Sequence, residues 1–306
     1  MKKSGSFKSE KRIEAITGLT MVAIPLIGFL VLQVYPILWT FRWSFFSYNG
    51  VPSLTKFIGL DNFKTAFADG VYWRTWVNTL QFVFFKIPIE ICLAMFLALL
   101  LDTDIKGKGF YRALYYLPTV ISSVVVGLIF TNLFTYDGFL NTFFTKIGLM
   151  KEPMDWFSKK WSAMTMLCSG GIWMGFGING LYFIAALSNV SKDVHESAQL
   201  DGANAVTRFF KITLPMIAPV FSIVILLSLI ANLGANELVI TLTGGAPSGQ
   251  TQTVMSYLTT KFVPGFAETA TPALGYGCSL ALITTLLFGL IAVAYNKINH
   301  KLNDMY

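Results

Sequence analysis

Charge is scarce in this chain: only 13% of its 306 residues are Asp, Glu, Lys or Arg, while 54% are hydrophobic. That is too little charged surface to coat a soluble globule of this length, so the chain reads as an integral membrane protein. Histidine is scarcer still, at two residues, His195 and His300. The three cysteines, Cys92, Cys168 and Cys278, fall inside apolar runs without metal-ligand spacing. Neither a metal centre nor a disulfide framework is expected from them. The sequence has no G-x-x-x-x-G-K-[ST] cradle for nucleotide phosphates and no Ser-His-Asp array. No catalytic step and no cofactor are therefore expected of this chain. Its net charge of +7 comes without a basic patch interleaved with stacking aromatics. The surplus suits anchoring to anionic lipid headgroups.

What is present in quantity is apolar sequence. Runs of about 20 residues or more, uncharged or nearly so, occur at about 15–41, 75–101, 113–135, 161–187, 213–236 and 272–295. The predicted fold is all-α: a polytopic membrane protein of six transmembrane helices over 15–296, between tails at 1–14 and 297–306. The first run follows a basic stretch, Lys2, Lys3, Lys8, Lys11 and Arg12. It is too long for a signal-peptide core and lacks a small-residue cleavage site, so it is expected to remain as the first membrane helix. Thirteen Lys and Arg lie in the two tails and the 102–112 and 188–212 loops, roughly 60 residues, against nine in roughly 95 residues of the opposite-side loops. This doubled density predicts that both termini and the 188–212 loop are cytoplasmic.

That loop and its exit, 193–219, form a polar, helix-forming segment between two long apolar runs. The pattern predicts two short helices meeting at Gly202, the first capped by Ser191 or Asp193. Val206, Phe209, Phe210 and Ile212 make an apolar stripe on the second, and Leu214-Pro215 is expected to turn the chain into the next run. Glu196-Ser197-Ala198, then Asp201-Gly202, then Ile212-x-Leu214-Pro215 resembles the coupling loop of bacterial ABC-importer permeases: E-A-A, three residues, G, nine residues, I-x-L-P. The spacing agrees throughout, and Ser197 for alanine is the one departure. Other stretches resemble the carbohydrate-importing branch of that family. These are Phe57, Gly59, Leu60, Asn62, Phe63, Trp73, Asn78 and Thr79; then Arg112, Tyr115, Tyr116, Leu117 and Pro118. Further on come Thr243, Gly244, Gly245, Pro247 and Thr253, with Ala246 as an insertion, and the stretch 274–281 that starts the sixth run.

The resemblance implies a type I ABC importer permease for a sugar or oligosaccharide. It implies a second, homologous permease, two ATPase subunits, and an extracytoplasmic sugar-binding protein as partners, in the bacterial cell membrane. Glu196, Ser197, Ala198, Leu200, Asp201, Gly202, Leu214 and Pro215 would then make the ATPase coupling. Glu196 would meet a basic residue, Ala198 and Leu200 would fill a groove, and Gly202 would form the corner.

Candidates for the substrate path come from polar residues inside the apolar runs. Lys86 and Glu90 are the only charged residues there, and each would cost about 2.5–3.5 kcal/mol facing lipid. The pair is expected to face protein or a watery cavity, either neutralising itself at i,i+4 or serving the substrate. Pro88 between them is expected to bend the helix. In the fourth run Gly171-x-x-x-Gly175 favours close helix packing. Trp173, Phe176, Asn179 and Phe183 recur at helical spacing, as ordinary packing or as a wall of sugar-stacking rings and an amide. Asn232 and Asn236 end the fifth run, one turn apart, with Glu237 beside them. The alternative is a self-contained secondary transporter using Lys86 and Glu90 as an ion-coupled pair, against which stands the lack of an internal repeat.

Overall fold

The structure, a computed structural model, describes residues 4–103, 105–263 and 273–303. Helix α1 (Ser4–Phe29) passes through one π-helical turn, Leu30–Val34, into α2 (Tyr35–Trp43). A two-residue ribbon follows, β1 (Phe46–Ser47) antiparallel to β2 (Lys56–Phe57) with Phe46 opposite Phe57, and then α3 (Asp61–Ala68). The helices α4 (Gly70–Asp102), α5 (Lys108–Val120), α6 (Ser123–Phe134), α7 (Phe139–Lys146) and α8 (Lys160–Leu187) come next. After them are α9 (Lys192–Leu200), α10 (Ala205–Arg208), a second π-turn at Phe209–Thr213, and α11 (Leu214–Leu233). Helices α12 (Glu237–Leu242), α13 (Val254–Phe262) and α14 (Leu274–Asn303) complete the order.

Six helical stretches among the described residues are long and apolar enough to cross a membrane. Four coincide with the expected runs to within about five residues, and the helix of the fifth run begins at Ala205 rather than at about 213. The third differs. Its run at 113–135 is split where Ile121 turns extended (ψ 139°), after which the Ser122 hydroxyl caps α6 by accepting from the Val124 amide. The crossing in the structure is Ser123–Lys146, later in the chain than the run. No charged residue marks the break, and the serines there are no signal, because serine caps a helix as readily as it rides inside an apolar one.

The chain also does not turn at Leu214-Pro215. It runs as one helical stretch over Ala205–Leu233. Pro215 lacks an amide and crowds the residue before it, and the helix accommodates this by widening into the π-turn, where Leu214 N–H reaches back five residues to Phe209 O. The same device precedes Pro36, where Tyr35 N–H reaches Leu30 O. Pro88 needs none, since α4 continues through it as one helix of 33 residues.

Two compact units result, one of Met1–Ala68 and Lys261–Ile283, the other of Asp69–Thr260 and Thr284–Tyr306. In the first, the buried Asn62 side chain donates to Ser44 O (2.8 Å) and Phe46 O (3.0 Å), holding the ribbon, and Trp43 stacks on Tyr48 at 4.2 Å. The apolar window of its first helix is exposed along its length, as suits lipid contact.

In the second unit α4 and α8 pack side by side with α11 and α5. Lipid tails are as apolar as leucine, so close packing and hydrogen bonds must hold such helices together. Gly177 shows the close packing: a Cβ there would lie 2.7 Å from Tyr115 O on α5, and beside it Thr119 donates to Met174 O at 3.0 Å. The glycine-rich segment 243–253 is clasped from α4. Asn78 Nδ2 donates to Gly249 O and Gln252 O, its Oδ1 accepts from Lys160, and Thr79 Oγ1 accepts from the Val254 amide. Two stretches that carried the family resemblance thus meet in space.

The loop with Lys146, Lys151, Asp155, Lys159 and Lys160 has an internal organiser. Asn141 on α7 is fully buried. Its Nδ2 donates to the Thr135, Tyr136 and Met154 carbonyls and its Oδ1 accepts from Met154 N and Trp156 Nε1.

Candidate functional site

The second unit contains a cavity of about 770 Å³ lined by Lys86, Glu90, Asn179, Asn232 and Asn236 among others. Four of these form one network. Lys86 Nζ donates to Glu90 Oε2 at 2.7 Å, one turn along α4, and to Asn232 Oδ1 at 2.5 Å on α11. From α8, Asn179 Nδ2 donates to Glu90 Oε1 at 2.8 Å and to Ser228 Oγ at 3.0 Å. Asn232 Nδ2 returns to Ser228 O at 2.8 Å. Lys86 and Glu90 are 4% and 2% exposed, so both charges are desolvated and each depends on the other.

Helix α8 admits these charges because it lacks side chains where they meet it. A Cβ at Gly171 would lie 2.6 Å from Lys86 Cε, and one at Gly175 would fall on the Glu90 carboxylate. The Gly171/Gly175 pair, expected to serve helix packing, thus makes room for an ion pair.

The remaining candidates are placed differently. Asn236 lines the cavity and accepts from Thr259 Oγ1 at 3.1 Å. Trp173 and Phe176 are not among the lining residues. Trp173 tilts against Phe130 and Phe176 stacks on Tyr115, each packed on a buried apolar cluster, while Phe183 stacks on Phe221. The face of α8 that meets the cavity carries Met174, Gly175, Ile178, Asn179 and Tyr182. Ser228, which joins two of the amides, has no counterpart among the sequence candidates, because a serine in an apolar helix carries no signal of its own.

A second site lies at α9 and α10. Ser191 caps α9, accepting from Asp193 N at 3.2 Å, and Asn204 caps α10, accepting from Thr207 N at 2.8 Å. Between them Gly202 sits at φ +82°, the left-handed region that favours glycine, with open space around it. Glu196, Ser197 and Asp201 are exposed, and Leu200 is 89% exposed. Ala198 instead is buried within the chain. Leu200 is therefore the apolar side chain that α9 offers outward. Pro215 is exposed and Leu214 partly so, just beyond the π-turn and inside the continuous helix.

Membrane-length helices around a polar-walled cavity, with a capped helical elbow between two crossings, define a multi-pass membrane permease. The sequence matches the binding-protein-dependent transport system inner membrane component family over residues 90–300, and the chain belongs to that family. The probable ABC transporter permease protein YesP of Bacillus subtilis is 36% identical over 222 residues, 72% of this chain and 70% of that one. The lactose transport system permease protein LacF of Rhizobium radiobacter is 30% identical over 289 residues, 92% of this chain and 96% of that one. A crystal structure of a bacterial ABC transporter involved in the import of the acidic polysaccharide alginate superposes with a TM-score of 0.79. It covers 97% of this chain and 99% of its own at 21% identity, which shows a shared fold.

Proposed function

We propose that this chain is the transmembrane permease subunit of an ATP-driven importer for a sugar or oligosaccharide, forming half of the translocation path. In this reading it pairs with a second permease, receives cargo from an extracytoplasmic binding protein, and rests on two ATPase subunits that supply the hydrolysis. Residues 15–296 are the permease domain, and 188–212 with both termini face the cytoplasm. Closure of the ATPases would draw the elbows together, and α11, continuous with α10, would carry that movement to the cavity.

The observation that carries this reading is the elbow itself, a left-handed glycine joining two capped helices with Glu196 and Leu200 outward. A secondary transporter working through Lys86 and Glu90 is not favoured, since the family is one of binding-protein-dependent systems. The test is made in the assembled complex in nanodiscs. Glu196→Lys reverses the charge offered to the ATPase, and Gly202→Val forces a β-branched residue into a backbone region costing roughly 1–3 kcal/mol. Both variants should insert at normal levels yet lose binding-protein-stimulated ATP hydrolysis or release the ATPase subunits. Wild-type retention and turnover in both would overturn the assignment.

A further inference from the structure

The cavity wall carries three charged side chains of opposite sign: Lys86, Glu90 and Glu237. Lys86 is the one cation among the lining residues, and its position decides what charge a ligand meets there. Its ammonium is engaged on Glu90 and Asn232 and stands 5.8 Å from the centroid of the Phe82 ring. Turning it toward a ligand's carboxylate would leave Glu90 buried without its counter-ion, which is what makes breaking a buried pair costly. A Cβ at Gly171 would already lie 2.6 Å from Lys86 Cε, so the lysine stem runs close against α8. Glu237, at the exposed first turn of α12, adds a second carboxylate to the wall. The other polar groups on the wall are neutral amides and hydroxyls, among them Asn179, Ser228, Asn236, Thr119 and Ser123. Such groups pair with the hydroxyls of an uncharged ligand at no electrostatic penalty.

We propose that this cavity takes uncharged saccharides and turns away uronic acids, because its lysine is already neutralised and Glu237 leaves the wall net negative. The inference rests on the sugar-importer reading and adds to it the charge of the cargo. Excess charge on a wall partly shielded from water acts beyond contact distance, so Glu237 need not touch the ligand to oppose an anion.

The test uses the complete importer in nanodiscs without its binding protein, so that the filter measured is the membrane subunits' own. Saturation-transfer NMR would compare lactose, maltose and cellobiose with the acids made by oxidising their primary hydroxyls. The expected result is binding of neutral sugars roughly tenfold tighter than of their acids, about 1.4 kcal/mol. Glu237→Gln, on an exposed residue, should narrow that ratio. Glu90→Gln, which leaves Lys86 uncompensated, should narrow or reverse it, and Lys86→Met with Glu90→Gln should preserve it. Equal or tighter binding of the acids by the wild type overturns the inference while leaving the sugar reading intact. A ratio unmoved by Glu237→Gln overturns it also. Saturation transfer to neither set overturns the sugar reading itself.

Discussion

Lys86 and Glu90 show how a buried charge is tolerated inside an apolar helix: each oxygen and two of the ammonium's donors end on fixed partners from three helices. Removing one member strands the other. Lys86→Met is expected to destabilise the complex by about 3–5 kcal/mol, and adding Glu90→Gln should restore most of the loss, since the amide oxygen that replaces the carboxylate would still accept from Asn179. Thermal unfolding of the purified complexes reads this, and a double variant as unstable as the single one would end the pairing account. Gly175→Ala should lower the melting temperature through overpacking worth about 1–3 kcal/mol. Gly289→Ala, with nothing near its Cβ, should leave it unchanged or slightly raised. At this scale the polar outliers Lys86, Glu90, Asn179 and Asn232 were readable in the sequence as residues needing partners. Which partners they chose was not. Helix α8 is buried on more than one side, so no single stripe reveals its cavity face, and Trp173 and Phe176 stood out by chemistry while facing elsewhere.

Elements were read best where local chemistry decides. The cap at Ser191 and the bend at Gly202 follow from a side-chain oxygen and a missing Cβ, which act within a few residues. The break between α5 and α6 and the π-turns depend on competition between backbone alternatives close in energy, and hydropathy is blind to that. The loop around Asn141 belongs to the same class, since lysines on its surface conceal an amide at its centre. Asn141→Ala should remove five hydrogen bonds and leave buried carbonyls unmatched, at a cost of roughly 1–3 kcal/mol. Hydrogen exchange should then accelerate over residues 135–157 while α4 and α8 keep their protection. Unchanged exchange in that segment would show that it is held by other means.

For the molecule as a whole, the number of crossings was readable because about 20 apolar residues admit few other fates. The division into two units was not, since it depends on contacts between segments far apart in the chain. Orientation rests on the lysine and arginine imbalance and is open to direct measurement. In a variant without native cysteines, His195→Cys should resist an impermeant maleimide in intact cells and react after lysis. Lys151→Cys should react in both. The opposite pattern would invert the topology and remove α9 from reach of any cytoplasmic ATPase.

The π-turn at Phe209–Thr213 has a consequence for azimuth. Each residue of an α-helix advances the chain by about 100°, so a turn holding one extra residue rotates everything beyond it by that amount without shortening the rod noticeably. The bearing on which α9 presents Glu196 is therefore fixed by a residue count as well as by residue identity. Restoring an amide at position 215 would favour closing the wide turn, and α10 with α9 would then point a quarter-turn away from their present heading, with every side chain intact and the joint misaligned.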